Sequence, residues 1–441
     1  MKKLTVFGLI LCAQMSFAQD KNTDALGRLV KAAIDYSPRI KEQQQLVSIG
    51  DYKTKIQEAA LKPQVQSELS VTRIDPVAKA SFAFGSTSTE LSFQPNMNYN
   101  ANVGANYTIA DWGKQALAIE RAKLETNLSK NNVEGLKQNY AYQVANLYYG
   151  IVYLQKAIEV QKEQLKLVAN NEKLISDRLK QGDALDYDRV SIQVRYKNAE
   201  TRLTDLQGQL DRQLIYLSSL IGADARTMVP TDADFSATWA DLTVSAAFEQ
   251  AQTNNVDLKN IREKDLIADK DVKIAQLSMA PTVSAVGQLG IKNGYLPRIN
   301  GEVPPVDKDF KFNTVLGLKM TIPIYAGGRG AYSTEMAKLS KEMLKYSSEA
   351  TNQALKRDLD AAENDYTIAK NKLDLSEKNV FQAQYALKLA ESRYKNGVIT
   401  NVEIEAAQTA LREAQLTQLQ YQYMMTQAKL EVSRLSGLKF W

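Results

Sequence analysis

Histidine is absent from all 441 residues, and the only cysteine is Cys12, near the N-terminus. Without imidazole or a usable thiol, the chain lacks the common ligands of a metal centre, a histidine general base and a cysteine nucleophile. No paired acid and base and no phosphate-cradling glycine loop accompany its carboxylates, so no enzymatic activity and no cofactor are expected. One-signed charge is lacking too: 55 Lys and Arg face 50 Asp and Glu. They are spread along the chain with no basic stripe, and no nucleic-acid partner is expected. Beyond the N-terminal segment there is no run of 18 or more apolar residues. No transmembrane helix is therefore expected, and any membrane span must be a β-barrel.

What is present begins with an export signal. Lys2 and Lys3 supply its charged start, Leu4 to Cys12 its apolar core, and Ser16-Phe17-Ala18 a small-residue cleavage site. The mature chain is expected to start at Gln19 and to carry no cysteine. Leu9-Ile10-Leu11 lacks the small residues of a lipid-attachment site before Cys12.

The rest of the sequence is one unit written twice. An offset of 215 residues places Trp112-Gly113-Lys114 on Gly327-Gly328-Arg329, Gly182 on Gly397 and Gly222 on Gly437, without a gap from Trp112 to Gly222. Few side chains match, so spacing has been kept while identity drifted, as an architecture of fixed lengths requires.

Two periodicities alternate within each half. Glu90 to Ile109 alternates polar and apolar positions, with Leu91, Phe93, Met97, Tyr99, Val103, Tyr107 and Ile109 on one face and a run of asparagines on the other. That pattern predicts a long two-faced strand. Lys311 to Ile324 is its second-half equivalent, and the shorter partners are Gln64 to Arg73 and Thr282 to Ile291, giving two hairpins and four strands. A 3.5-residue period then predicts coiled-coil helices. Val144, Leu147, Ile151, Leu154 and Ile158 belong to one series, and Leu359, Ala362, Tyr366, Ala369 and Leu373 to its counterpart. The pattern resumes after Gly182 and Gly397, so each half holds a helical hairpin. An unbroken helix from about 115 to 180 would measure roughly 100 Å.

These patterns divide the chain into a signal (1–18), a first repeat (19–222), a linker (223–242) and a second repeat (243–441). The first repeat holds a β-hairpin over 64–109 and a helical hairpin over 113–221; the second holds them over 282–324 and 329–437. Single helices are expected near 23–61 and 244–278, and a side domain of mixed structure in the linker. A strand with one apolar and one asparagine-rich face suits a wall between lipid and water. Four strands cannot close alone, so identical copies must complete the barrel.

The strand exit Ile322-Pro323-Ile324-Tyr325-Ala326-Gly327-Gly328-Arg329 and the turn Arg393-Tyr394-Lys395-Asn396-Gly397, in a duplicated chain, resemble the TolC-like outer-membrane efflux protein family. The first-half copy of that turn is Arg178-Leu179-Lys180-Gln181-Gly182. The resemblance implies a mixed α and transmembrane β fold: a homotrimer whose twelve strands form an outer-membrane β-barrel and whose helical hairpins form a periplasmic α-barrel. It implies a passive exit channel of a tripartite efflux pump or type I secretion system. Its partners would be outer-membrane lipid, a periplasmic adaptor and an inner-membrane pump. A secreted coiled-coil scaffold is the alternative that the heptads alone allow.

Residue roles follow in part from mechanics and in part from the resemblance. Gly113, Gly327 and Gly328 are expected as strand-to-helix joints, with Pro323 ending its strand. Gly182 and Gly397 close helices. The resemblance makes Lys180, Gln181, Gly182, Lys395, Asn396, Gly397 and Val398 the adaptor-docking tips. It makes Asp188, Tyr394 and Glu403 a periplasmic gate, with Asp188 linked to Tyr394 and Glu403 forming a three-fold ring. The chain departs from the family at Ile399, where a basic gating residue is expected, and at Ala406, where a second acidic ring is expected.

Overall fold

The computed structural model describes residues 21–84, 87–182, 184–235, 244–294 and 309–441. The expected signal over 1–18, the cleavage point before Gln19 and the end of the linker, 236–242, lie outside the described residues. Two compact units are present, one formed by residues up to 42 with 132–259 and 350–441, the other by 43–131 and 260–349.

The second unit contains the sheets. Strands β1 (Gln64–Arg73), β4 (Met97–Ala110), β5 (Thr282–Lys292) and β6 (Lys311–Thr321) form one antiparallel sheet in the order β1-β4-β5-β6, while β2 (Lys79–Phe84) and β3 (Thr87–Ser92) pair separately. The two predicted hairpins thus join through β4 and β5, which belong to different halves of the chain. Register keeps the two faces apart across all four strands. Leu69 lies opposite Ala101, Ala101 opposite Ile291, and Ile291 opposite Phe312. One residue along, Ser70, Asn100, Lys292 and Lys311 share a row on the other face.

The strand expected over 90–109 is two strands. Residues 93–96 leave the ladder at Pro95, which has no N–H to donate, and the chain before them turns back as the β2–β3 hairpin. Strand β6 ends at Thr321, ahead of Pro323 and three residues short of the expected Ile324. The apolar face of the main sheet is exposed, with Leu69 and Leu316 each 80% accessible. Also in this unit, Lys341 pairs with Asp269 at 2.6 Å and Arg121 with Asp271 at 2.5 Å, linking the helices that carry them.

The first unit holds the helical core. Helices α3 (Lys114–Gln181) and α4 (Asp186–Ile221) make the first hairpin, and α8 (Arg329–Lys395) and α9 (Asn401–Ser436) the second. Among the described residues the other α-helices of this unit are α1 (Lys21–Tyr36), α5 (Ala225–Met228) and α6 (Val244–Asn254), while most residues of α2 (Pro38–Ala59) and α7 (Val256–Gln276) belong to the unit with the sheets. Each single helix expected upstream of a hairpin is a pair. Ser37 Oγ accepts from the Ile40 N–H at 3.4 Å, and Asn255 Oδ1 from the Asp257 N–H at 2.9 Å, so a capping side chain starts a new helix at each break. Leu26, Leu29, Tyr148, Tyr149, Ile151, Leu217 and Leu430 are fully buried together. Ala225, Val229 and Ala233 of the linker and the terminal Phe440 are buried in the same cluster. The described part of the linker therefore packs into this core.

Backbone geometry repeats with the sequence offset. Positive φ occurs at Trp112 (58°) and Gly327 (61°), Gly113 (87°) and Gly328 (79°), Gly182 (84°) and Gly397 (70°), and Gly222 (69°) and Gly437 (70°). Trp112 is the one non-glycine among these eight, so the joint needs the left-handed turn strongly enough to hold an indole-bearing residue in it.

Candidate functional site

The two hairpin turns carry the predicted tip residues. Lys180, Gln181, Gly182, Lys395, Asn396, Gly397 and Val398 are all exposed, Val398 by 70%. The second turn is closed by the Val398 N–H donating to Arg393 O at 2.9 Å and the Gly397 N–H to Tyr394 O at 3.1 Å, the pattern of a helix ending in a left-handed glycine.

Asp188 and Glu403, the equivalent carboxylates of the returning helices, do the same local work. Asp188 Oδ2 accepts from the Leu185 N–H at 3.2 Å. Glu403 Oε2 accepts from the Thr400 N–H at 2.8 Å and its hydroxyl at 2.9 Å. Each satisfies an orphan donor at a helix start and lies at the positive end of the helix dipole. The Thr400 N–H, and then its hydroxyl, hold the Glu403 carboxyl below its ordinary value.

Tyr394 is buried against Leu387 and Ile404. The Arg178 guanidinium from the first hairpin lies over its ring, 4.9 Å from the centroid. Burial raises its phenol above the ordinary value; Arg178 opposes, while Glu405 and Asp188 add to the rise. Asp188 is thus near enough for its charge to be felt at Tyr394, but no hydrogen bond joins the two within one chain among the described residues. Glu403 points its carboxylate at its own cap.

Sequence reasoning missed the groups that tie the two hairpins together here. Glu405, only 4% exposed, pairs with Arg195 of α4 and accepts from Asn401 Nδ2 at 2.9 Å. Burial pushes its carboxyl above the ordinary value, against the pull of Arg195 and Asn401 and with a push from Asp188. The buried Gln408 accepts from Asn171 Nδ2 of α3 at 3.4 Å. Within the first hairpin, buried Gln161 donates to Ala199 O at 3.0 Å. The available signal was adjacency: Glu405 follows Ile404, and Arg195 precedes Tyr196, each beside a position of the heptad series.

The sequence matches the family described as "Outer membrane efflux protein" over residues 29–223 and 247–438, which is both halves of the duplication. The chain belongs to that family. Among its relatives are the pyoverdine export outer membrane protein OpmQ of Pseudomonas putida, 20% identical over 86% of this chain and 78% of that protein, and the outer membrane protein TolC of Vibrio cholerae, 19% identical over 71% and 72%. The solved outer membrane protein VceC of Vibrio cholerae superposes with a TM-score of 0.73 at 17% identity, covering 95% of this chain and 97% of that one. The open-state MtrE outer membrane channel of Neisseria gonorrhoeae gives 0.71 at 15% identity, over 94% and 89%. The fold is that of a helical barrel with strands, and the protein is an outer-membrane exit channel with its helical part in the periplasm. Among the described residues no helix is long and apolar enough to cross a membrane.

Proposed function

We propose that three copies of this chain form a passive duct through the outer membrane, supplied by a periplasmic adaptor and an inner-membrane pump within a tripartite efflux or type I secretion system. The observation that carries this reading is the open sheet. Among the described residues β1 pairs with β4 and β6 with β5, which leaves β1 and β6 as the outer strands of the sheet. In hydrocarbon each unsatisfied group costs several kcal/mol, and a channel wall with two bare edges is not viable. Joining β6 of one copy to β1 of the next removes every edge. Three copies of a four-stranded sheet give a closed barrel of twelve.

A second surface supports the same assembly. Tyr332, Met336, Leu339, Met343 and Tyr346 form a stripe along α8 at alternating spacings of four and three, each more than half exposed in the single chain. Such a seam asks for a facing helix. In this duct Glu403 and Asp188 line the narrow entrance, Arg178 and Tyr394 hold the hairpins at the tip, and the exposed turns receive the adaptor. The work done is passage and its control, with no reaction catalysed. Energy and cargo selection come from the partners, consistent with relatives named for pyoverdine export and for toxin and drug export.

Paired cysteines test the closure. With Cys12 in the expected signal, engineered residues would be the only thiols. A scan placing one cysteine along β1 and one along β6 should give covalent trimers on oxidation at the matching register. Intramolecular bonds alone, or an open ladder of larger species, would rule out three-fold closure.

A further inference from the structure

Beside the Arg195 to Glu405 pair lies a cavity of about 290 Å³, lined by residues of α3, α4 and α9. Its cations exceed its anions. Arg195 is committed to Glu405. Arg412 of α9, with 11% of its side chain exposed, reaches only its neighbour Glu413, through Nη2 at a long 3.4 Å. The buried Arg412 Nε has no hydrogen-bond partner among the described residues. Arg202 of α4, also in the lining, has no ion pair among the described residues. Burial, and then the like charge of Arg202, pull the Arg412 guanidinium below its ordinary value. Two like charges are therefore held toward one space, and one of them keeps an unused buried donor.

Such an arrangement is unfavourable when empty and favourable when occupied by negative charge. Guanidinium forks match the paired oxygens of carboxylates and tetrahedral oxyanions, and Asn198, Gln408 and Thr409 add neutral polar groups to the lining. The volume is at the lower end for small-molecule sites, which suits a compact organic acid better than an extended one.

We propose that this cavity binds a small oxyanion, organic or inorganic, between Arg202 and Arg412, and that the bound anion cross-links α4 of the first hairpin to α9 of the second. The binding is a property of the chain itself and does not depend on which pump or adaptor the channel serves.

The test is isothermal titration of the full-length detergent-purified protein with citrate and, separately, with sulfate, ionic strength being held with chloride. Saturable binding of at least one is expected. Citrate alone identifies a carboxylate site, and binding of both a general oxyanion site. Arg202→Gln, at an exposed position, should weaken binding by at least about tenfold. Arg412→Lys, which keeps the charge but loses the fork, should weaken it as well, while Lys197→Gln outside the lining should leave it unchanged. No saturable heat with either anion, or equal affinity in Arg202→Gln and the parent protein, would overturn the proposal.

Discussion

Glu403 and Glu405 lie two residues apart on α9 and respond to pH in opposite senses. Glu403 is held below its ordinary carboxylate value of 4.5, so its capping contribution is present above that value and is lost as pH falls through the lowered one. Glu405 is raised above 4.5 by burial, so its contribution is complete below 4.5 and is lost as pH rises through the raised value. Local stability around Glu405 should accordingly fall as pH rises above 4.5, because the burial cost of the ionised carboxylate outweighs its attraction to Arg195, through a range where the helix cap is intact. Hydrogen exchange of the amides from Ile404 to Gln408, corrected for intrinsic rates, should show that slope, and Glu405→Gln should flatten it. An unchanged slope in Glu405→Gln would assign the effect elsewhere. At the neighbouring tip, Asp188→Ala and Tyr394→Phe should each raise closed-state conductance in planar bilayers. Unchanged conductance in both would remove Asp188 and Tyr394 from the gate and leave them as a helix cap and a packed ring.

At the scale of elements, the hairpin ends give a sharp comparison. Gly222 and Gly437 occupy equivalent left-handed positions, but their surroundings differ. A Cβ at Gly222 would fall 2.3 Å from Tyr36 Cδ2, part of a half-exposed side chain that can swing away. A Cβ at Gly437 would fall 2.6 Å from the backbone carbon of Asn254, which cannot. Gly222→Ala should therefore cost about 1–2 kcal/mol, mainly from the backbone conformation, and Gly437→Ala clearly more. Denaturation midpoints of the two variants decide this; equal losses would show that the Asn254 backbone yields.

The elements were also where the sequence spoke most clearly. The long helices, the four strands of the main sheet and their joints follow from periods of 3.5 and 2 kept over many residues, and a burial pattern of that length has few other solutions. Breaks were harder to see because single residues make them. Pro95 interrupts a strand whose alternation carries straight on, and Ser37 and Asn255 divide helices whose composition barely changes. The inter-hairpin groups were harder still. Glu405 and Arg412 read as ordinary solvated charges until the packing of the helices encloses them, and no local pattern states which helix faces which.

At the scale of the whole molecule, the chain alone is an incomplete wall. Among the described residues it carries an exposed apolar sheet face, two outer strands and an apolar stripe along α8, and the proposed closure of three copies in a lipid bilayer would account for all three. The duplication would serve the proposed closure: two similar halves per chain would turn a three-copy ring into six quasi-equivalent units, and a twelve-stranded barrel would be built from one short strand pattern. Conservation of lengths over identities between the halves fits this, because every unit must reach the same joint and the same tip.

The most direct test of this account is the mass and the conductance of the form extracted by detergent from the outer membrane, measured on one preparation. The account predicts a protein mass of three chains and discrete ion-conducting steps in planar bilayers. A monomer, or a soluble species that conducts nothing, would contradict it.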